Sequence, residues 1–252
     1  MKADKIISEA FGKRNVSMKC LEYTHRDLDE FMTSGDSERP WESFELTQGK
    51  DVRAWIDNPK EMSPHLPNIS DLKDIIIPAF EKPVSILDVG CYGGYLYDYL
   101  KTNAPGRIAH YTGVDIQPSV IEAARLIHGD IPDATFEVGD ALELSECFGP
   151  RSFDIVCCYR VTIHLPYFKK ILSNLLRVAD GIVHLVLFIQ DYDWCRRFEE
   201  TDLDTGKKVI YYQRFISEAT IKECIAGLPV SYKIIPGPVY ASLIMNLKGE
   251  LT

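Results

Sequence analysis

The sequence predicts an α/β fold: a doubly wound, mainly parallel sheet of seven strands with a C-terminal antiparallel hairpin, preceded by a helical extension. Three observations predict it. The stretch Ser85-Ile86-Leu87-Asp88-Val89-Gly90-Cys91-Tyr92-Gly93-Gly94 passes from apolar residues through an acid into three glycines within five positions. Leu96, Tyr97 and Leu100 follow at helical spacing, so the unit reads as buried strand, glycine turn, helix. From there strands and helices alternate, as in a parallel sheet covered on both faces. Last, Ser231 to Ile235 and Val239 to Leu247 flank Pro236-Gly237-Pro238, and strands joined so closely pair antiparallel.

Taken in order, residues 1–82 stand apart as a first unit. Ile7, Ala10 and Phe11 share a helical face that Gly12 ends, and Leu28, Phe31 and Met32 mark another. Thr33 to Pro67 is rich in Ser, Asp, Glu and Pro yet carries Trp41, Phe44 and Trp55. Leu72, Ile75, Ile76, Ala79 and Phe80 predict a last helix, with Pro78 and Pro83 helping to end it. The second unit, residues 83–252, opens on the glycine turn. Glycine suits that turn because it accepts positive φ and lets a ligand approach the backbone. The first amides of the following helix favour an anionic group.

About 25 residues on, within one βαβ unit, Tyr111-Thr112-Gly113-Val114-Asp115-Ile116 is a second strand ending in an acid. Pro118 suits the first turn of the helix after it. An acid at that tip can accept both hydroxyls of a ribose. Phe136 to Ala141 supplies a third strand ending in Asp140, and Phe153 to Arg160 a fourth. Phe168, Ile171, Leu172, Leu175 and Leu176 form a wide apolar helical stripe before a fifth strand, Ile182 to Ile189. An insert at about 190–215 suggests a hairpin turning near Asp204-Thr205-Gly206, on the ligand side of the sheet because it leaves a strand's carboxyl end. Ser217 is placed to cap a helix bearing Ile221, Cys224 and Ile225.

The series DVGCYGG, YTGVDIQP, VGDAL and FDIVCCYR resembles the class I (Rossmann-like) S-adenosylmethionine-dependent methyltransferases, from about Pro83 to the C-terminus. The resemblance implies S-adenosylmethionine as cofactor. It places the methionine end at Gly90, Cys91, Gly93 and Gly94 with Asp88 nearby, the ribose at Asp115 and Ile116, and the adenine at Asp140 and Ala141. It also places Tyr159 near the methyl donor. The family's usual central glycine is Tyr92 here, and Gly93 beside it is expected to restore the freedom of the turn. Extra N-terminal helices in such proteins often cover the substrate pocket, so residues 1–82 read as a cap or lid; packing on the flank of the sheet is the alternative.

Composition narrows the partners. With 46% hydrophobic residues the chain is not a disordered one. A formal net charge of −9 disfavours a nucleic-acid substrate, because an acidic surface repels phosphates. No membrane span is read, since the longest apolar run, Gly181 to Ile189, is too short. Met1-Lys2-Ala3-Asp4-Lys5 leads into no signal-peptide core. The seven cysteines show no metal-ligand spacing, so no metal site is read; reduced thiols in a cytoplasmic protein are the simplest account. Adjacent Cys157 and Cys158 are expected to point to opposite faces of their strand.

Methyl transfer needs donor and nucleophile held in line, plus a base where the nucleophile is a hydroxyl. His164, which titrates near neutrality, is the candidate base, and Arg160 the candidate anchor for an acidic acceptor; a hydrogen-bonded helix-entry ring and a rim ion pair are the alternatives. Tyr192 and Trp194, with Arg196 and Arg197, are candidates to line the acceptor pocket. Cys158-Tyr159-Arg160-Val161 stands where the family's amine-methylating members carry Asn/Asp/Ser-Pro-Pro-Tyr/Phe. The reading is therefore transfer of a methyl group to a small molecule, O-methylation slightly favoured. Protein or RNA methylation and non-catalytic binding of S-adenosylmethionine are the alternatives. A nicotinamide enzyme is disfavoured because Gly90-x-x-Gly93-Gly94 does not fit Gly-x-Gly-x-x-Gly.

Overall fold

The computed structural model describes residues 16–24, 66–129, 131–165, 167–204, 206 and 208–249. The expected helical faces at Ile7–Phe11 and Leu28–Met32, and Trp41, Phe44 and Trp55, lie outside the described residues. Within them the parallel strands are β2 (Val84–Val89), β3 (Ile108–Asp115), β4 (Ala134–Val138), β5 (Phe153–Tyr159) and β6 (Ala179–Gln190), in the spatial order β4-β3-β2-β5-β6. The chain thus starts in the middle and reverses direction at β2/β5, the switch point beside which α/β sheets place their ligands. The terminal hairpin, β9 (Ser231–Ile235) and β10 (Ala241–Asn246), is antiparallel, and β10 lies antiparallel on β6.

Each strand sends alternate side chains to opposite faces, so two apolar cores form. Leu87, Val156, Cys158, Val183 and Leu185 meet α5 (Phe168–Val178) and α6 (Glu218–Ile225) on one face, together with Leu144 of α4 (Leu144–Cys147). Ile86, Ile155, Cys157 and Ile182 meet α1 (Leu66–Asp71), α2 (Tyr95–Asn103) and α3 (Pro118–His128) on the other. Cys157 and Cys158 therefore face opposite ways, and all seven cysteines are free thiols. Among the described residues no helix is long and apolar enough to cross a membrane.

Among the described residues the expected seven strands become ten. The insert forms the hairpin read from its sequence, β7 (Trp194–Asp202) with β8 (Lys208–Ser217), and joins the sheet. Only the last three residues of β6, Phe188 to Gln190, pair with it, in parallel with Phe215 to Ser217. β6 is thus shared: its body pairs with β5 and β10, and its carboxyl end carries a second small sheet. The third added strand corrects the helical reading of residues 1–82, which placed no strand there. β1 (Val16–Thr24) is antiparallel to β7 across its whole length. Ser17 to Cys20 are all exposed, so no alternation marked this strand; it forms by completing the open edge of β7. The last helix of that unit is present but irregular. α1 passes into a π turn at Leu72–Ile76 and a 3₁₀ turn at Ile77–Ala79, where Pro78 lacks the amide a regular helix needs.

Ser217 caps α6: its hydroxyl accepts from the Thr220 amide at 3.2 Å, while buried Asp193 accepts from the Ser217 amide and the Thr220 hydroxyl, each at 2.5 Å. The cap pins the base of the insert to α6. Ser217→Ala is expected to lower stability by about 1 kcal/mol, read as a fall in thermal midpoint; an unshifted midpoint contradicts the assignment.

Candidate active site

The glycine loop leaves the tip of β2, and its shape is set from inside the protein. Gly90 and Cys91 both donate their amides to the Val114 carbonyl, at 2.7 and 3.0 Å, and Gly94 donates to the Cys91 carbonyl at 2.9 Å. Gly90 and Gly94 take φ of 78° and 85°. Between them Tyr92, not Gly93, takes the left-handed conformation, at φ 50°. This corrects the expectation that Gly93 supplies the missing freedom. Stacking of Tyr92 on Tyr95, with centroids 6.2 Å apart, and a bond from the Tyr92 amide to Asp115 Oδ2 at 3.2 Å offset the steric cost of that φ.

The space beside the glycines is already used. A Cβ on Gly90 would lie 2.1 Å from a methyl of Val161, and one on Gly94 2.5 Å from His128 Nε2 and 2.8 Å from Phe136. His128, at the end of α3, stacks on Phe136 and donates from Nε2 to the Gly93 carbonyl at 2.9 Å. Sequence reading missed this clamp, since nothing in the spacing ties residue 128 to residue 93. Arg125 from the same helix holds the Phe136 carbonyl at 2.8 Å.

Asp115 ends β3 with each carboxylate oxygen on a backbone amide: Oδ2 on Tyr92 and Oδ1 on Gln117 at 3.0 Å. The second-strand acid and the glycine loop are thus one unit. Asp140 follows β4; its Oδ1 accepts from the Leu142 amide at 2.8 Å, which makes it the head of a turn. Asn174 of α5 donates to the carbonyl of buried Ala141 at 3.1 Å and fixes that turn from below. Ile116 is half-buried beside Asp115, and Cys91 is buried with its thiol pushed well up by that burial, so it packs rather than reacts.

Asp88 is buried under the loop at 4% exposure, and the Tyr111 hydroxyl donates to its Oδ2 at 2.6 Å. Burial pushes its carboxyl up to about 7; the Tyr111 bond opposes the rise and the Asp115 charge adds to it. The folded value lies above the unfolded carboxylate value, so the folded protein binds this proton more tightly. That stabilisation is complete below about pH 4 and is lost as pH rises through about 7. In Asp88→Asn the fall in thermal midpoint of the ligand-free protein over that interval should flatten. An identical pH slope in variant and parent would exclude Asp88 as its source.

After β5 the chain turns sharply. Arg160 sits at φ 63°, its amide donating to the Val186 carbonyl at 2.8 Å. Val161 packs on Gly90, and Thr162–His164 form a 3₁₀ turn against β8. The glycine loop, Arg160 and His164 are thereby brought together. His164 Nδ1 donates to the Tyr212 carbonyl at 3.1 Å, so Nε2 carries the lone pair of the neutral ring. The residue is exposed at the surface, yet the protein around its ring pushes its pKa down to about 4 by desolvation; the Tyr212 bond opposes the fall and the Arg160 charge adds to it. Thr162 is buried, and its hydroxyl has no hydrogen-bond partner among the described residues.

The insert contributes a column of aromatic rings. Trp194 stacks on Phe215 at 4.0 Å, Phe215 on Phe188 at 4.7 Å, and Phe188 on Tyr240 at 4.7 Å. A guanidinium lies over each end, Arg196 over Trp194 at 4.6 Å and Arg160 over Tyr240 at 5.6 Å. Trp194 is thus a packed part of a wall, whereas Tyr192 is 69% exposed and takes no part in it. Arg196 and Arg197 pair with Glu22 and Glu199. Tyr159, expected beside the methyl donor, directs its hydroxyl back along the sheet to His184.

A sheet ordered in this way, with a glycine loop at the first strand, acids at the tips of the next two and a reversed final strand, is the fold of the class I, Rossmann-like methyltransferases. Residues 86–180 match the family described as "Methyltransferase domain". A Mycobacterium tuberculosis protein named as a methyltransferase is 32% identical over 119 residues, 47% of this chain and 54% of that protein. The ubiquinone biosynthesis O-methyltransferase of Hahella chejuensis is 31% identical over 153 residues, 56% of this chain and 59% of that one. The chain thus spans little more than half the length of these relatives. Among solved structures, the DhpI–SAM–HEP complex superposes with a TM-score of 0.61 at 17% identity, covering 82% of this chain and 95% of that one, and shares the fold.

Proposed function

We propose that the protein transfers a methyl group from S-adenosylmethionine to a small-molecule acceptor, with a hydroxyl as the favoured nucleophile. The observation that carries this reading is the union of the glycine loop with Asp115 through the Tyr92 amide. Gly90 and Gly94 let the loop close onto Val161, His128 and Phe136, α2 begins directly behind it, and the Thr162 hydroxyl, unpartnered among the described residues, lies in the turn that packs on Gly90. These features suit the methionine end of the cofactor, whose carboxylate favours a helix N-terminus. Asp115 and Ile116 would hold the ribose, and Asp140 and Ala141 the adenine. Asp88 would face the cationic end. When bound, the cofactor supplies an electrophilic methyl group on a sulfonium, so the chain's own task is chiefly to hold and orient.

The unprotonated Nε2 of His164, which carries the lone pair at neutral pH though its basicity is lowered, would take the acceptor's proton, and Arg160 would hold an acidic group on it. A hydroxyl acceptor agrees with the O-methyltransferase name of the Hahella relative and with the absence of the amine-methylating loop. We take residues 1–82 as a cap over the acceptor side and 83–252 as the catalytic unit. Within the cap, the described parts are β1, held by β7, and α1, which contacts β10, with the turns that follow α1.

A metabolite screen with methyl-labelled S-adenosylmethionine tests this reading. Label should pass to a small molecule, and His164→Ala should lower turnover by roughly 10²–10⁴-fold, the usual contribution of a positioned base. Label found only on protein or RNA would move the acceptor class. Binding without transfer to any acceptor would leave a non-catalytic S-adenosylmethionine-binding protein. Full turnover in His164→Ala would remove that residue from the chemistry.

A further inference from the structure

The apolar face that packs on α1 to α3 contains a line of polar groups that the methyl-transfer reading does not use. The Tyr159 hydroxyl lies 2.7 Å from His184 Nδ1, His184 Nε2 lies 3.2 Å from Ser242 Oγ, and Ser242 Oγ lies 2.5 Å from Asp71 Oδ2. Asn68 Nδ2 donates to the same serine oxygen at 3.4 Å. His184 and Ser242 are wholly buried, and Asp71 at the far end is half-buried. Four elements contribute: the tip of β5, the body of β6, β10, and α1 of the N-terminal unit.

The protons along this line follow from its end. A carboxylate oxygen can only accept, so the Ser242 hydroxyl donates to Asp71. Its oxygen is then the acceptor for His184 Nε2–H, which leaves Nδ1 bare to accept from Tyr159. Burial holds the imidazole neutral, its pKa pushed down to about 3, so this assignment persists at ordinary pH. The Tyr159 ring also meets His184 edge-on at 5.0 Å, with the Cys157 sulfur 3.5 Å from its hydroxyl.

Polar groups in such a place contribute little net stability compared with apolar residues of the same shape, but they demand one register. What this register sets is visible at both ends. At one end Tyr159 is followed directly by left-handed Arg160 and by Val161, which lies against Gly90. At the other, α1 has only six residues and continues as π and 3₁₀ turns, so its place depends on side-chain ties more than on its own helical stability.

We propose that the chain Asp71–Ser242–His184–Tyr159 is a positioning device that holds the β5 tip against the glycine loop and couples docking of α1 to occupancy of the methyl-donor site. The residues touch no reacting group; they act through Tyr159 and the turn behind it. This inference rests on the donor-site reading given above.

The test is a double-mutant cycle on the full chain, with S-adenosylmethionine affinity read by calorimetry and kinetics read with the acceptor found in the labelling screen. Ser242→Ala and Tyr159→Phe should each weaken cofactor binding by about 2- to 30-fold, the range for residues that carry coupling between sites, and the double variant should be no weaker than the worse single one. The cofactor KM should rise while kcat at saturation is kept. At the half-buried end, Asp71→Asn, which still accepts from Ser242, should bind nearly as the parent does, whereas Asp71→Ala should not. Unchanged affinity in Ser242→Ala, Tyr159→Phe and Asp71→Ala, with only the thermal midpoint lowered, would overturn the inference, and so would strictly additive losses. Should the buried variants fail to fold, the Asp71 pair decides alone. A parent protein that binds no S-adenosylmethionine overturns the donor-site reading itself, and this inference with it.

Discussion

Gly94→Ala is expected to lower the thermal midpoint by roughly 5–15 °C and to abolish measurable S-adenosylmethionine binding. Two costs add. An alanine at φ 85° pays about 1–2 kcal/mol for the left-handed backbone. Its Cβ must also enter space held by His128 Nε2 at 2.5 Å and Phe136 at 2.8 Å, and forcing a group into packed surroundings costs about 1–3 kcal/mol. Neither neighbour can yield cheaply: the two rings stack on each other, and His128 is tied to the Gly93 carbonyl. The displacement therefore falls on the glycine loop. Gly106→Ala is the internal control. Gly106 also has positive φ, 72°, but nothing lies within 4 Å of the added Cβ. It should pay the backbone cost alone and bind cofactor as the parent does. Equal effects from the two substitutions would show that the loop's crowding carries no weight.

Asp115→Ala should weaken S-adenosylmethionine by about 1.5–3 kcal/mol, the range for hydrogen bonds to a charged group, or roughly 10- to 150-fold. The carboxylate serves twice. It would accept from the ribose, and it already holds the Tyr92 amide of the loop and the Gln117 amide at the start of α3. Burial raises its pKa, so the folded protein already bears a cost for the charge, and its removal should cost less in thermal midpoint than Gly94→Ala. Asp115→Asn, which retains one acceptor oxygen, should fall between parent and alanine variant. Calorimetry on the three proteins decides the matter. Undiminished affinity in Asp115→Ala would refute ribose binding at this tip and weaken the donor-site reading as a whole.

Much of the site's scaffold was legible in the residues because its signals are local. Apolar runs ending in Asp88, Asp115 and Asp140, each followed by turn residues, mark strand tips wherever they occur. The close spacing around Gly237 allows only an antiparallel hairpin, and Ser217 stands where a cap belongs. The hairpin near Gly206 was equally visible. Its junction with three residues of β6 was not, because that depends on how far β6 runs beyond its neighbours. The strand at Val16–Thr24 escaped notice for a related reason: with both faces exposed at Ser17 to Cys20 it carries no apolar period, and its partner lies some 180 residues away. The roles of Trp194 and Tyr192 also separate only in three dimensions, one closed into an aromatic column and the other facing solvent.

The sequence by itself determined the order of strands and helices, the place of the glycine turn and the acids at the strand tips, since backbone tolerance and side-chain periodicity are properties of neighbouring residues. Only the tertiary structure decided that Tyr92 takes the strained φ, that His128 clamps the Gly93 carbonyl, and that Asp71, Ser242, His184 and Tyr159 form one line. Those contacts join residues dozens to hundreds of positions apart. Sheet order and face alternation bring them within hydrogen-bond reach, and no local pattern encodes which distant side chain will complete a buried polar group.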